Sequence, residues 1–144
     1  MVKDQTLGEW VDGSELLKVG PDTSVQRAAQ LMKKHGKGAI LVEEQGQFQG
    51  IFTERDMVFR VVAEGLAFDS TPISAVMSRD LVVGHPQDTH VVALRRMAAA
   101  GVRHLPVVNG SKLVGMVSRR EMMALDIELM DAEVDRREAS RLFI

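Results

Sequence analysis

Hydrophobic and polar positions follow two periods along this chain, and the pattern runs through twice. Val25, Ala28, Ala29 and Met32 fall at the i, i+3, i+4, i+7 spacing of a helix with one buried face. Ser24 precedes them as the opening residue. Lys33, Lys34 and His35 fill the last turn, where cations suit the helix dipole, and Gly36 ends it. Ala39 to Val42 is an apolar run of strand length. Glu44 to Gln47 is a polar hairpin turn containing Gly46, and Phe48 to Phe52 is the return strand. A second helix is expected from Thr53 to about Glu64, stopped by Gly65. Ahead of all this, Thr6 to Val11 predicts one or two helical turns capped by Thr6. Leu16 to Val19 predicts a brief strand before Gly20-Pro21.

After a short connector, Gly65 to Pro72, the order returns. Ile73 to Met77 predicts a small helix, Leu81 to Val83 a short strand, and Thr89 to Ala100 a helix ended by Gly101. Arg103 to Val108 is a strand, Asn109-Gly110 a two-residue hairpin signal, and Lys112 to Val117 the return strand. Ser118 starts the last helix. The halves align without a gap at an offset of 65, pairing Pro21 with Pro86, Met32 with Met97, Gly50 with Gly115 and Arg55 with Arg120. This is a tandem repeat of one supersecondary unit. The fold class it predicts is α+β, with two β-α-β-β-α repeats, 6–65 and 71–126, related by a pseudo-two-fold axis. A small three-stranded sheet with helices on one face leaves its other face bare, and the simplest cover is the other repeat. Residues 127–144 leave the repeat pattern. Ile127, Leu129, Met130, Val134 and Leu142 stand among Asp, Glu and Arg, as in an amphipathic helical tail that docks on the module or on a second subunit.

Composition narrows the classes. The chain has 144 residues, 45% hydrophobic and 26% charged, with net charge -2, values of a soluble globular protein with no global pull towards nucleic acid or a membrane surface. It has no cysteine, which excludes disulfides, thiolate zinc sites and cysteine nucleophiles and fits a reducing, cytoplasmic compartment. No apolar signal core opens the sequence, and no apolar run reaches the roughly 18 residues of a membrane span. With 4% aromatics and nine methionines, the core is aliphatic and Met-rich.

The chemistry concentrates in one turn, present twice. Gly50-Ile-Phe-Thr53-Glu54-Arg55-Asp56-Met57 is matched by Gly115-Met-Val-Ser118-Arg119-Arg120-Glu121-Met122. Each position keeps its chemical type except Glu54 against Arg119. Thr53-x-x-Asp56 and Ser118-x-x-Glu121 have the spacing of capping boxes, in which the hydroxyl caps a helix and the acid reaches back. The same turns suit a ligand. Free N–H groups and the dipole at a helix N-terminus attract phosphate, Arg55 and Arg120 could pair with it, and the acids are better suited to a ribose diol. Other constellations carry less. His85, His90 and His104 have no metal spacing, and Gly36-Lys37-Gly38 lacks the Lys-Ser/Thr ending of a phosphate loop. Nothing resembles a catalytic set, and the chain is not expected to be an enzyme.

The repeat resembles the cystathionine beta-synthase (CBS) domain, and the pair resembles a tandem CBS or Bateman module. The resemblance rests on Pro21-x-x-Ser24 and Pro86-x-x-Thr89, on Gly101-Val-Arg-His-Leu-Pro-Val-Val108, and on the two turns above; it covers roughly residues 6–126. It implies a regulatory sensor binding an adenosine-containing ligand between the repeats: AMP, ADP, ATP, NAD or S-adenosylmethionine; with 144 residues the module is expected to stand alone. Thr53 and Ser118 would contact phosphate or ribose, and Asp56 and Glu121 the ribose hydroxyls. Arg55 and Arg120 stand beside those acids. Arg103 and His104 would face the same cleft, with Lys18 and Val83 on the first strands near the base and phosphate. No cofactor is required beyond the regulatory nucleotide. The expected partners are a second copy, joined through helices, and a regulated enzyme or transporter. The clefts are expected to be inequivalent, because Gly38-Ala39 stands where the second repeat has Arg103-His104, and Glu121 replaces the usual Asp. A structural assembly module with vestigial clefts is the alternative.

Overall fold

Thr6 opens the first helix with a capping box. Its hydroxyl accepts from the Glu9 amide at 3.3 Å, and Glu9 accepts from the Thr6 amide at 3.4 Å. The computed structural model describes residues 5–142. The elements are α1 (Leu7–Val11), β1 (Lys18–Val19), α2 (Val25–His35), β2 (Ala39–Glu44), β3 (Gln47–Thr53) and α3 (Glu54–Asp56). After α3 the chain continues as π-helix over Met57–Val62, and a 3₁₀ turn follows at Ile73–Ala75. Then come α4 (His90–Ala100), β4 (His104–Asn109), β5 (Lys112–Ser118) and α5 (Arg119–Leu142). Ser24 and Thr89 cap α2 and α4, and Gly36 and Gly101 end them in the left-handed conformation.

The first sheet has the order β1-β2-β3, with β1 parallel and β3 antiparallel to β2. The second has only β4-β5. Both hairpins carry a register shift at matching places, Val42/Glu43 and Val107/Val108. The strand expected at Leu81 to Val83 does not form; that segment meets the sheet through one bridge, Gly84 to Val107. The cause is Pro106. In the first repeat the Leu41 amide donates to the Leu17 carbonyl at 3.1 Å. Pro106 stands at the matching position and has no N–H to give.

Other boundaries move as well. The turn of the second hairpin is Gly110-Ser111, since Asn109 pairs with Lys112 and Gly110 takes φ 64. The helix after Thr53 is α for one turn and then π. The small helix at Ile73 is 3₁₀ and ends at Ala75. The last helix runs unbroken through the expected tail, while Phe143 and Ile144 lie outside the described residues.

Each repeat borrows its opening segment from the other. Leu7 and Val11 of α1 join Ala93, Met97, Leu105 and Val117 in the core of the second repeat. The amides of Leu7 and Gly8 donate to the carbonyls of Asp88 and Pro86 at 2.8 and 2.9 Å. In return Ile73, Val76 and Met77 join Val25, Ile40, Phe52 and Val61 in the core of the first, and the Ile73 amide donates to Thr23 at 2.7 Å. The glycine pair Gly50 and Gly115 makes room for the crossing. A Cβ on Gly50 would stand 2.8 Å from Met77 Sδ, and one on Gly115 would stand 2.5 Å from Val11 Cβ. A third cluster, Leu41, Val108 and Leu113 flanked by Phe48, Ile51 and Met116, joins the two sheets. Within it Phe48 matches Leu113 and Ile51 matches Met116, as a pseudo-two-fold axis requires.

Candidate functional site

The first turn closes on itself. Thr53 is in extended conformation and its hydroxyl accepts from the Asp56 amide at 3.2 Å. Asp56 Oδ2 accepts from the Thr53 amide at 3.0 Å, completing the box. The other oxygen, Oδ1, accepts from Ser78 Oγ at 3.5 Å and lies 3.6 Å from Arg60 Nε. Arg60 also donates to the carbonyls of Val76 and Met77, both at 3.2 Å. Asp56 is therefore 8% exposed, with both oxygens engaged. Arg55 lies outside this network, 5.4 Å over the Phe59 ring.

The second turn is open. Ser118 Oγ accepts from the Glu121 amide at 3.1 Å, as Thr53 does. The Glu121 carboxylate, one methylene longer, reaches across the repeat boundary to Lys37 Nζ at 3.2 Å. Glu121 is 47% exposed and Lys37 38%. Two substitutions explain the difference. Position 125 is Leu where the first repeat has Arg60, and position 13 is Gly where the second crossing segment has Ser78.

Between the turns the two repeats meet at Gly38. A Cβ there would stand 2.9 Å from Glu54 Oε1 and 3.3 Å from His104 Nε2, so a side chain from each repeat borders the same small space. The Glu54 amide donates to Gly38 at 3.0 Å, and the Arg119 amide to Arg103 at 2.9 Å, a matched pair. His104 faces Ser118 in register across β4 and β5. Burial pushes its imidazole below the ordinary 6.5; Glu54 and Glu121 pull it back up, and Arg103 adds to the lowering.

Of the sequence-predicted residues, Glu121 and Arg103 act on the His104 imidazole, the first raising and the second lowering its pKa. Thr53 and Asp56 form the closed network, and Ser118 half of its counterpart. Arg55 and Arg120 are exposed. Lys18 is held by Glu43 at 2.9 Å, and Val83 packs into the inter-sheet cluster; neither bonds to a turn. Sequence reasoning missed Lys37, Glu54, Arg60 and Ser78. One signal was available for Glu54, the single mismatched position of the two turns. Among the described residues no group of three or more His, Cys, Asp or Glu is placed to hold a metal, and no helix is long and apolar enough to cross a membrane.

Two α+β repeats share an interleaved core, and each carries a hydroxyl-x-x-acid turn at a strand-to-helix junction. The family model for the CBS domain matches twice, over residues 11–63 and 73–128. The chain belongs to the CBS-domain family and carries a pair of these domains. It is 42% identical over 105 residues to the CBS domain-containing protein YhcV of Bacillus subtilis, covering 73% of this chain and 74% of YhcV. Among solved structures it resembles the CBS domain protein NE2398, with TM-score 0.81, 27% identity, and coverage of 87% of this chain and 99% of that one. The CBS pair of MJ0100, solved with 5'-methylthioadenosine and S-adenosyl-L-methionine, shares the fold at TM-score 0.76 and 19% identity, over 85% of this chain and 96% of that one.

Proposed function

We propose that this CBS pair is a regulatory module that binds an adenosine-containing small molecule between its repeats and signals its presence to a partner protein in the cytoplasm. The observation that carries the reading is the repeated strand-to-helix turn, hydroxyl plus acid, in a CBS pair whose two repeats meet beside it at Gly38, Glu54 and His104. The nucleoside ligands of MJ0100, which shares this fold, support an adenosine-type ligand. Ser118, Glu121 and Arg120, with Arg103 and His104 beside them, form one half-site; Thr53, Arg55 and Asp56, with Lys18 on β1 and Val83 in the segment before Gly84, mark the other. Mass spectrometry of native protein identifies a co-purifying nucleoside, and thermal shift with AMP, ADP, ATP, NAD and S-adenosylmethionine checks it. No bound nucleoside and no shift with any of these would refute the reading and favour an assembly module.

Dimerisation through helices belongs to the same proposal. Val58, Phe59 and Val62 are exposed on the helix after the first turn, and Met123, the repeat mate of Val58, is exposed on α5. Related apolar positions on two helices form a face that a second copy can cover twice over. Sedimentation should show a dimer that Phe59→Lys weakens; a monomeric wild type would exclude it.

A further inference from the structure

The two turns differ in what their acids are free to do. Asp56 is closed in by the Thr53 amide, Ser78 and Arg60 and is almost out of contact with solvent. A ligand hydroxyl reaching it would have to open the cap of α3 and the crossing segment that holds Ser78. Glu121 is half exposed and pairs with a lysine from the other repeat, also half exposed. That lysine sits between Gly36, which ends α2, and Gly38, where an added Cβ would meet Glu54 and His104. Lys37 thus lies in the α2–β2 joint of the first repeat.

We propose that the Lys37–Glu121 pair is a latch between the repeats, that ligand binding opens it at the second turn, and that the first turn stays shut. This rests on the adenosine-ligand reading above and adds the site used and the contact that responds. Hydrogen-bond donors of the ligand take the Glu121 carboxylate in place of Lys37 Nζ. Lys37 is released into solvent without leaving a buried charge, because both groups are already half solvated. Lys37 is therefore a competitor of the ligand rather than a contact for it, and its release uncouples α2 and β2 of the first repeat from the N-terminus of α5.

Isothermal titration of full-length protein with AMP, ATP and S-adenosylmethionine tests this. The latch predicts one ligand per chain. Lys37→Met removes the competitor and tightens binding about two- to fivefold, the range open to an exposed ion pair. Glu121→Gln weakens it at least about tenfold, as loss of a charged acceptor should. Both side chains are half exposed, so both variants should fold, and circular dichroism checks that. Unchanged or weaker binding by Lys37→Met overturns the latch, since it would make Lys37 idle or a ligand contact. Two ligands per chain overturns the closed first turn. A wild type that binds none of the three probes refutes the adenosine reading itself, and the latch with it.

Discussion

Removing Asp56 should cost far more than removing Glu121, although the two residues occupy the same place in their repeats. Asp56→Ala leaves the Thr53 amide without its charged acceptor, a loss of about 1.5–3 kcal/mol for a hydrogen bond to an ionised group. It also frees Ser78 Oγ and breaks the contact with Arg60, whose side chain is 50% exposed, so solvent screening holds that part to under about 1 kcal/mol. The cap hydroxyl of Thr53 still serves the amide of residue 56 and limits the damage. Together the loss is about 2–4 kcal/mol. Glu121→Ala breaks a pair exposed on both sides, worth at most about 1 kcal/mol. For a domain of this size the difference appears as a melting temperature lowered by roughly 5–15 °C for Asp56→Ala and by less than about 4 °C for Glu121→Ala. Urea unfolding followed by the single Trp10, which packs on the second core, gives the free energies directly. Equal losses for the two variants would show that the closed network at the first turn does not carry the stability assigned to it.

Two further outcomes follow from the packing between the repeats. Gly115→Ala should destabilise by about 1–3 kcal/mol, because its Cβ would stand 2.5 Å from the Cβ of Val11 and 2.7 and 2.9 Å from its methyls; Gly20→Ala, with nothing within 4 Å, should be close to neutral in the same denaturation assay, and a neutral Gly115→Ala would contradict the crossing of α1. For His104 the folded pKa lies below 6.5, so the unfolded chain binds the proton more readily. The stability is present above pH 6.5 and is lost as the pH falls to the folded value. His104→Gln should flatten that part of the stability profile, and an unchanged slope would mean that another group titrates there.

Much of this architecture was legible in the amino-acid pattern. The 3.6-residue spacing of Val25, Ala28 and Met32 and the glycine stops at 36 and 101 act locally and stand where they were expected, while the second hairpin turn lies one residue later, at Gly110-Ser111. What periodicity reports is which face is buried, not what buries it. Leu7 and Val11 gave no sign that their cover lies in the second repeat. Lys37 and Glu121 meet across 84 positions, beyond any local signal. Pro106 did carry information, since a proline within a strand removes a donor from one neighbour, and that neighbour was the missing strand. Nothing in the spacing of Met57 to Val62 separates a π-helix from an α-helix.

The exchange of opening segments has a consequence for how this chain comes to be folded. The first repeat lacks part of its core until Ile73, Val76 and Met77 have been synthesised, and α1 has nowhere to dock until the strands of the second repeat exist. The entropy of closing most of the chain into a loop is spent before α1 is rewarded with contacts. The repeats are therefore expected to unfold as one cooperative unit, giving a single transition in denaturation. Divided between residues 65 and 71, neither half keeps a complete core, and each would expose the apolar wall its partner segment covered. Two copies of one repeat thus each depend on the other for a complete core.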